Sequence, residues 1–130
     1  MTTQRTEQQH EEWHARRRSL IAELDALSRR QRALIESDDS EGLLTLLDSR
    51  QVVIERLEEM ETRRPAGVQA HASDEALLAS IRERDAQDQS RLVDRRDHVA
   101  AQLAELTSTR RALSAYAPRE GTARFHDGAA

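Results

Sequence analysis

The sequence predicts an all-α protein of three long helices: an antiparallel hairpin followed by an extended amphipathic C-terminal helix, coiled-coil-like in its spacing. Three observations predict it. Gly and Pro together supply only six of 130 residues, whereas Ala, Leu, Glu, Gln and Arg, all strong helix formers, dominate the composition. Large aliphatic residues recur at separations of three, four and seven rather than two, the period of a helix face. The two places where that period breaks, around residues 37–40 and 63–73, carry turn and helix-stop chemistry.

The first helix is predicted over about residues 5–36. Trp13, Leu20, Leu27 and Leu34 recur every seventh position, and Ile21, Leu24 and Ile35 widen the stripe. Ser37-Asp38-Asp39-Ser40 then interrupts the pattern, and four polar residues suffice for an antiparallel helix-to-helix turn. Asp38 followed by Glu41 resembles a capping box ahead of Leu43 and Leu44, with Asp38 or Asp39 as the cap and Gly42 a small penalty in the first turn. The second helix, about residues 40–63, carries Leu43, Leu46, Leu47, Val53, Ile54, Leu57 and Met60, the broadest apolar face of the chain and the one expected to be best buried. It stops because Pro65 disfavours helix at Arg64 and Gly67 follows, leaving residues 63–73 as a loop. The third helix is expected over 74–116, capped by Ser73 or Asp74 with Glu75 in its first turn. Its heptad positions are Leu78, Asp85, Leu92, Val99, Leu106 and Leu113, and the companion series Ile81, Asp88, Arg95, Gln102 and Thr109 is mostly polar. Residues 1–117 thus read as one helical domain and 118–130 as a disordered tail.

At about 1.5 Å per residue, the helices would measure about 45, 35 and 60 Å. Folded up-down-up, residues near Asp97 would come level with the turn at 37–40. The stretch from His98 to Tyr116 would then lack a partner helix while still carrying Val99, Leu103, Leu106 and Leu113. An apolar stripe on such a stretch is a binding surface or a dimer seam.

Charge and composition narrow the function classes. The chain has 24 acidic and 20 basic residues, a formal charge of −4 and a pI near 5.7; every basic residue is Arg. No segment combines a basic surplus with interleaved aromatics, so nucleic acid is not an expected ligand, and Arg16, Arg17 and Arg18 read as a solvated helix face. The longest run of large aliphatics, Val52-Val53-Ile54, has three residues, which excludes a membrane-spanning helix. The polar N-terminus is unlike a secretory signal, and the absence of Cys removes thiol chemistry. A cytoplasmic protein without membrane insertion is the expectation.

Catalytic constellations are weak. His10-Glu11-Glu12-Trp13-His14 matches H-E-x-x-H in spelling, but that chemistry needs a third ligand and a substrate cleft. His10 and His14 are therefore expected to be exposed helix residues, with His71 near the same end, and no metal or other cofactor is expected. Arg50 is the one Arg on the apolar face of the second helix, facing Asp85 and Asp88 at a register near Ala86. An internal Arg–Asp pairing that sets helix register explains it better than a carboxylate-clamping active site of the small helical mutase kind. No enzyme activity is expected.

One resemblance adds to this. Leu34, Ile35, Asp38 and Asp39, then Leu43, Leu46, Leu47, Arg50, Gln51 and Ile54, resemble the helix–turn–helix of FlgN-type flagellar export chaperones, over roughly residues 20–116. The resemblance implies a three-helix chaperone that binds hook-associated flagellar subunits through its C-terminal helix and passes them to the export gate. Carried onto this sequence, it makes Val99, Leu103, Leu106 and Leu113 the cargo-binding residues and Tyr116 the candidate for docking to the gate, in a monomer or weak homodimer. The alternative is a homo-oligomeric coiled-coil structural or adaptor protein with the third helix as its seam. Asp85, Asp88 and Arg95 at core positions oppose a long self-paired coil, because each buried charge must find a partner.

Overall fold

The computed structural model describes residues 2–116, and the tail assigned to 118–130 lies outside the described residues. The protein is all-α, with no strand among the described residues: α1 runs Thr2–Glu36, α2 Ser40–Thr62 and α3 Ala72–Tyr116. By packing, the chain divides into two units, one ending at Ser90 and the other beginning at Arg91.

The hairpin turn is built from two linked caps. Asp38 adopts φ 59°, the left-handed region that Asp tolerates better than most side chains. Its N–H donates to the Ile35 carbonyl and that of Asp39 to Leu34, at 3.2 and 3.0 Å. This is the Schellman pattern, which satisfies the last carbonyls of α1. The next residue, Asp39, caps α2: its Oδ1 accepts from the Gly42 N–H at 2.9 Å. The cap is therefore Asp39, while Asp38 supplies the reversal instead of a capping box. Gly42 leaves room for this cap, since a Cβ there would stand 2.6 Å from the Asp39 Oδ2 and the carboxylate would have to shift.

In the first unit α1 and α2 are the closest helix pair and run antiparallel, with Trp13 opposite Met60 and Gln31 opposite Arg50. Residues 72–90 of α3 run parallel to α1, with Arg17 opposite Glu75 and Arg32 opposite Asp88. One apolar cluster joins Ile21, Leu24, Val53 and Ile81; a second, at the loop end, joins Trp13, Met60 and Val68. Trp13 Nε1 donates to the Met60 carbonyl at 3.1 Å, satisfying the one polar atom of the buried indole. The loop closes on itself through a turn in which the Val68 N–H donates to the Pro65 carbonyl, with Gly67 at φ 79°.

Three expectations are corrected here. α3 starts at Ala72, where the Glu75 N–H already donates to the His71 carbonyl, so Ser73 and Asp74 lie inside its first turn instead of capping it. The buried line of α1 is Trp13, Arg17, Ile21, Leu24, Ser28, Gln31 and Ile35, while Leu20, Leu27 and Leu34 of the expected stripe are half-buried. Arg17, Ser28 and Gln31 thus share the packed face with the apolar residues. α2 is less buried than its leucines suggested: Leu46, Val53 and Met60 are covered, but Leu44 and Leu47 are exposed.

Candidate functional site

The residues expected to bind cargo all lie in the second unit, on α3. Of residues 91–116 only Arg95 is half-buried and the rest are exposed. Val99 is 47% exposed, Leu103 and Leu106 59% each, Leu113 66% and Tyr116 87%. Steps of four, three and seven place the four aliphatics on one helix face. Thr107 and Thr109 return their hydroxyls to the carbonyls of Leu103 and Glu105, so they lie against their own helix. The side chains on this face are large, aliphatic and exposed.

The first unit holds its charges differently, in two buried polar layers either side of the Ile21–Leu24–Val53–Ile81 cluster. In the layer near the loop, Arg17 is buried, which corrects the view of it as solvated. Its Nε donates to Glu61 on α2 at 3.0 Å and its Nη2 to Glu75 on α3 at 2.5 Å. Its guanidinium carbon lies over the Trp13 ring, 5.6 Å from the centroid, and the pair of carboxylates answers the charge. Arg16 and Arg18 are exposed, although Arg18 reaches Asp74 at 3.4 Å and donates to His71 Nδ1 at 2.7 Å.

The second layer is a continuous chain across all three helices. Asp85 pairs with Arg50, Arg50 Nη1 donates to Gln31 Oε1 at 3.2 Å, and Gln31 Nε2 donates to Asp88 Oδ2 at 3.0 Å. Arg32 Nε donates to the other Asp88 oxygen at 3.1 Å. Asp88 is 1% exposed with both oxygens occupied. Alongside, Arg84 Nη1 donates to Asp25 at 3.0 Å and to the buried Ser28 hydroxyl at 3.2 Å. Burial by itself would raise the Asp25 carboxyl, but the hydrogen bonds and charges of Arg84 and Arg29 outweigh it and hold the group below its usual 3.8. Arg50 thus points at its own Asp and Gln partners. The groove of about 400 Å³ that it lines with Arg17, Leu57, Ile81 and Asp85 carries equal numbers of acidic and basic side chains.

Near the loop, His14 is half-buried instead of exposed. Its ring stacks on His71 at 3.8 Å with an 8° interplanar angle. Ring nitrogens carry their lone pairs in the ring plane, so stacked faces do not direct them at one ion. Among the described residues no group of three or more His, Cys, Asp or Glu is arranged to hold a metal. Burial, followed by the neighbouring His71, lowers the His14 pKa below 6.5; Arg18 and His10 act the same way, and Asp74 opposes them.

Sequence reasoning located the aliphatic face and the Arg50–Asp85 pairing but missed Arg17, Ser28, Gln31 and Asp25 as interior groups. A signal did exist: residues 10, 14, 17, 21, 24, 28, 31 and 35 alternate steps of four and three, a heptad visible once polar residues are admitted to it. Among the described residues no helix is long and apolar enough to cross a membrane. Comparison with protein-family models, with curated protein sequences and with solved structures finds no match.

Proposed function

We propose that this chain is a cytosolic export chaperone of the FlgN type, a binding protein and not an enzyme. It holds hook-associated flagellar subunits on the Val99–Leu103–Leu106–Leu113 face of α3 and keeps them unassembled until export, with Tyr116 as the contact to the export gate. The observation that carries the reading is that aliphatic face: four large side chains, each about half exposed or more, on one side of a helix. Each such side chain buried in a partner groove contributes about 1.5–3 kcal/mol before ordering costs. The motif residues from Leu34 to Ile54 support it further, since they fall on a helix–turn–helix with its break at residues 37–39.

The test is the double substitution Leu103→Asp with Leu106→Asp. Binding to hook-associated subunits in a pull-down should be abolished while the melting temperature and sedimentation coefficient stay unchanged, because these side chains contact little of the chain's own interior. Dissociation of an oligomer by the same change would instead identify the face as a self-association seam. A large fall in melting temperature would remove the face from consideration as a cargo surface.

A further inference from the structure

Within the first unit, the three helices are not held together by the same forces. α1 and α2 meet through Ile21, Leu24 and Val53 and the Trp13–Met60 bond, with Arg17–Glu61 and Gln31–Arg50 as their polar links. The segment 72–90 of α3 buries Asp74, Ile81 and Asp88, a seven-residue spacing in which two of three interior residues are carboxylates. Its attachments are Glu75 to Arg17, Asp74 to Arg18, Arg84 to Asp25, Asp85 to Arg50, and Asp88 to Arg32 and Gln31. Aliphatic support comes from Ile81, with Leu77 and Leu78 half-buried beside it.

Such attachments have a characteristic energetics. Removing one member of a buried pair strands its partner, which is strongly unfavourable. Separating the whole set returns every charge to water, so the desolvation penalty on both sides is recovered and little net free energy is lost. Aliphatic contacts give no such return, because water is the worse environment for both surfaces. The weakest seam in this unit therefore runs between 72–90 and the hairpin, and it should open as one piece.

We infer that residues 72–90 form a releasable strap on the α1–α2 hairpin: the hairpin stays folded when the strap leaves, uncovering the Ile21–Leu24–Val53 stripe bordered by Arg17, Arg18, Arg32 and Arg50. The loop at 63–71 is the hinge, tethered by Val68 in the Trp13–Met60 cluster. Salt promotes the release, since it weakens the attraction that closes the seam and acts first on its half-exposed members, Arg18 and Glu75. The device concerns residues 2–90 and is independent of the chaperone reading.

Hydrogen exchange of the full chain, read by mass spectrometry at about 0.05 M and about 0.5 M sodium chloride, tests it. Amides of 74–90 should exchange about tenfold or more faster than those of 17–35 and 46–60, and the gap should widen several-fold at the higher salt. Equal protection in the three segments, or a gap indifferent to salt, overturns the inference. Gln31→Leu with Arg32→Leu and Asp88→Leu replaces the central polar link, Arg32 included, by an aliphatic one and should slow exchange of 74–90 towards the rate of the hairpin. Exchange of 74–90 as fast as in the unmodified chain in that folded variant would also overturn the assignment. If the variant does not fold, the two-salt comparison on the unmodified chain decides the matter.

Discussion

His14 shows how one side chain couples the loop end of the bundle to pH. Its ring lies against His71, and its Nδ1 is buried without a partner among the described residues. Burial first, then the nearby His71, Arg18 and His10, hold its pKa below 6.5 in the folded chain. The folded state consequently binds fewer protons than the unfolded one around that pH. The stability contribution is fully present above the unfolded value of 6.5 and is lost as pH falls from there through the lower folded value. His14→Phe keeps an aromatic face for the stack and removes the titration, so the loss of stability between pH 7 and pH 5 should be smaller in the variant. Urea unfolding at the two pH values measures this, and identical losses in both proteins would contradict the account. Asp25 works at lower pH with the same sign, because its folded value is depressed below 3.8. Its contribution is present above about pH 4 and disappears in stronger acid.

At the level of elements, the hairpin depends on two adjacent aspartates with different duties. Asp38 takes the left-handed conformation that ends α1, and Asp39 accepts the Gly42 N–H that starts α2. Asp39→Ala leaves that donor without its side-chain acceptor and should destabilise the protein by about 1 kcal/mol. In thermal unfolding this is a lowering of a few degrees for a chain of this size; an unchanged melting temperature would mean the cap contributes nothing. α3 is the element whose two parts have opposite surfaces. Residues 72–90 present carboxylates and Ile81 to their own hairpin, whereas 91–116 present aliphatics to solvent. Substitutions at Leu103 and Leu106 should therefore leave the fold unchanged, and substitutions at Ile81 or Asp88 should disturb packing.

For the whole molecule, the interior is unusually polar because the aliphatic supply is small. Leu, Ile, Val and Phe make up 19% of the chain, close to compositions that fail to fold. The interior is completed by Arg17, Ser28, Gln31, Asp74 and Asp88 in place of further leucines. Such interiors depend on partners for their polar atoms: the chain from Asp85 through Arg50, Gln31 and Asp88 to Arg32 serves Gln31 and Asp88, and Arg84 serves Ser28, while Arg17 Nη1 and Asp74 Oδ2 are buried without a hydrogen bond.

The sequence by itself determined the three helices, the break between α1 and α2, the Pro65–Gly67 stop and the aliphatic face at Val99–Leu113. These are local properties: propensity, period and cap chemistry act within a few residues and need no partner to be read. The heptad register also left the Arg50–Asp85 pairing legible, because two opposite charges on facing stripes have few other places to go. Tertiary structure decided which polar residues go inside. Only the heptad position, and no difference of side-chain chemistry, separates the buried Arg17 from the exposed Arg16 and Arg18 on either side of it. Arg17 is interior because Glu61, 44 residues later, and Glu75, 58 residues later, converge on its guanidinium. Ser28, Gln31 and Asp25 follow the same rule, their partners being Arg84, Arg50 and Asp88 on other helices. Burial of a polar group depends on whether a partner meets it in three dimensions, and that meeting exists only once the helices have packed.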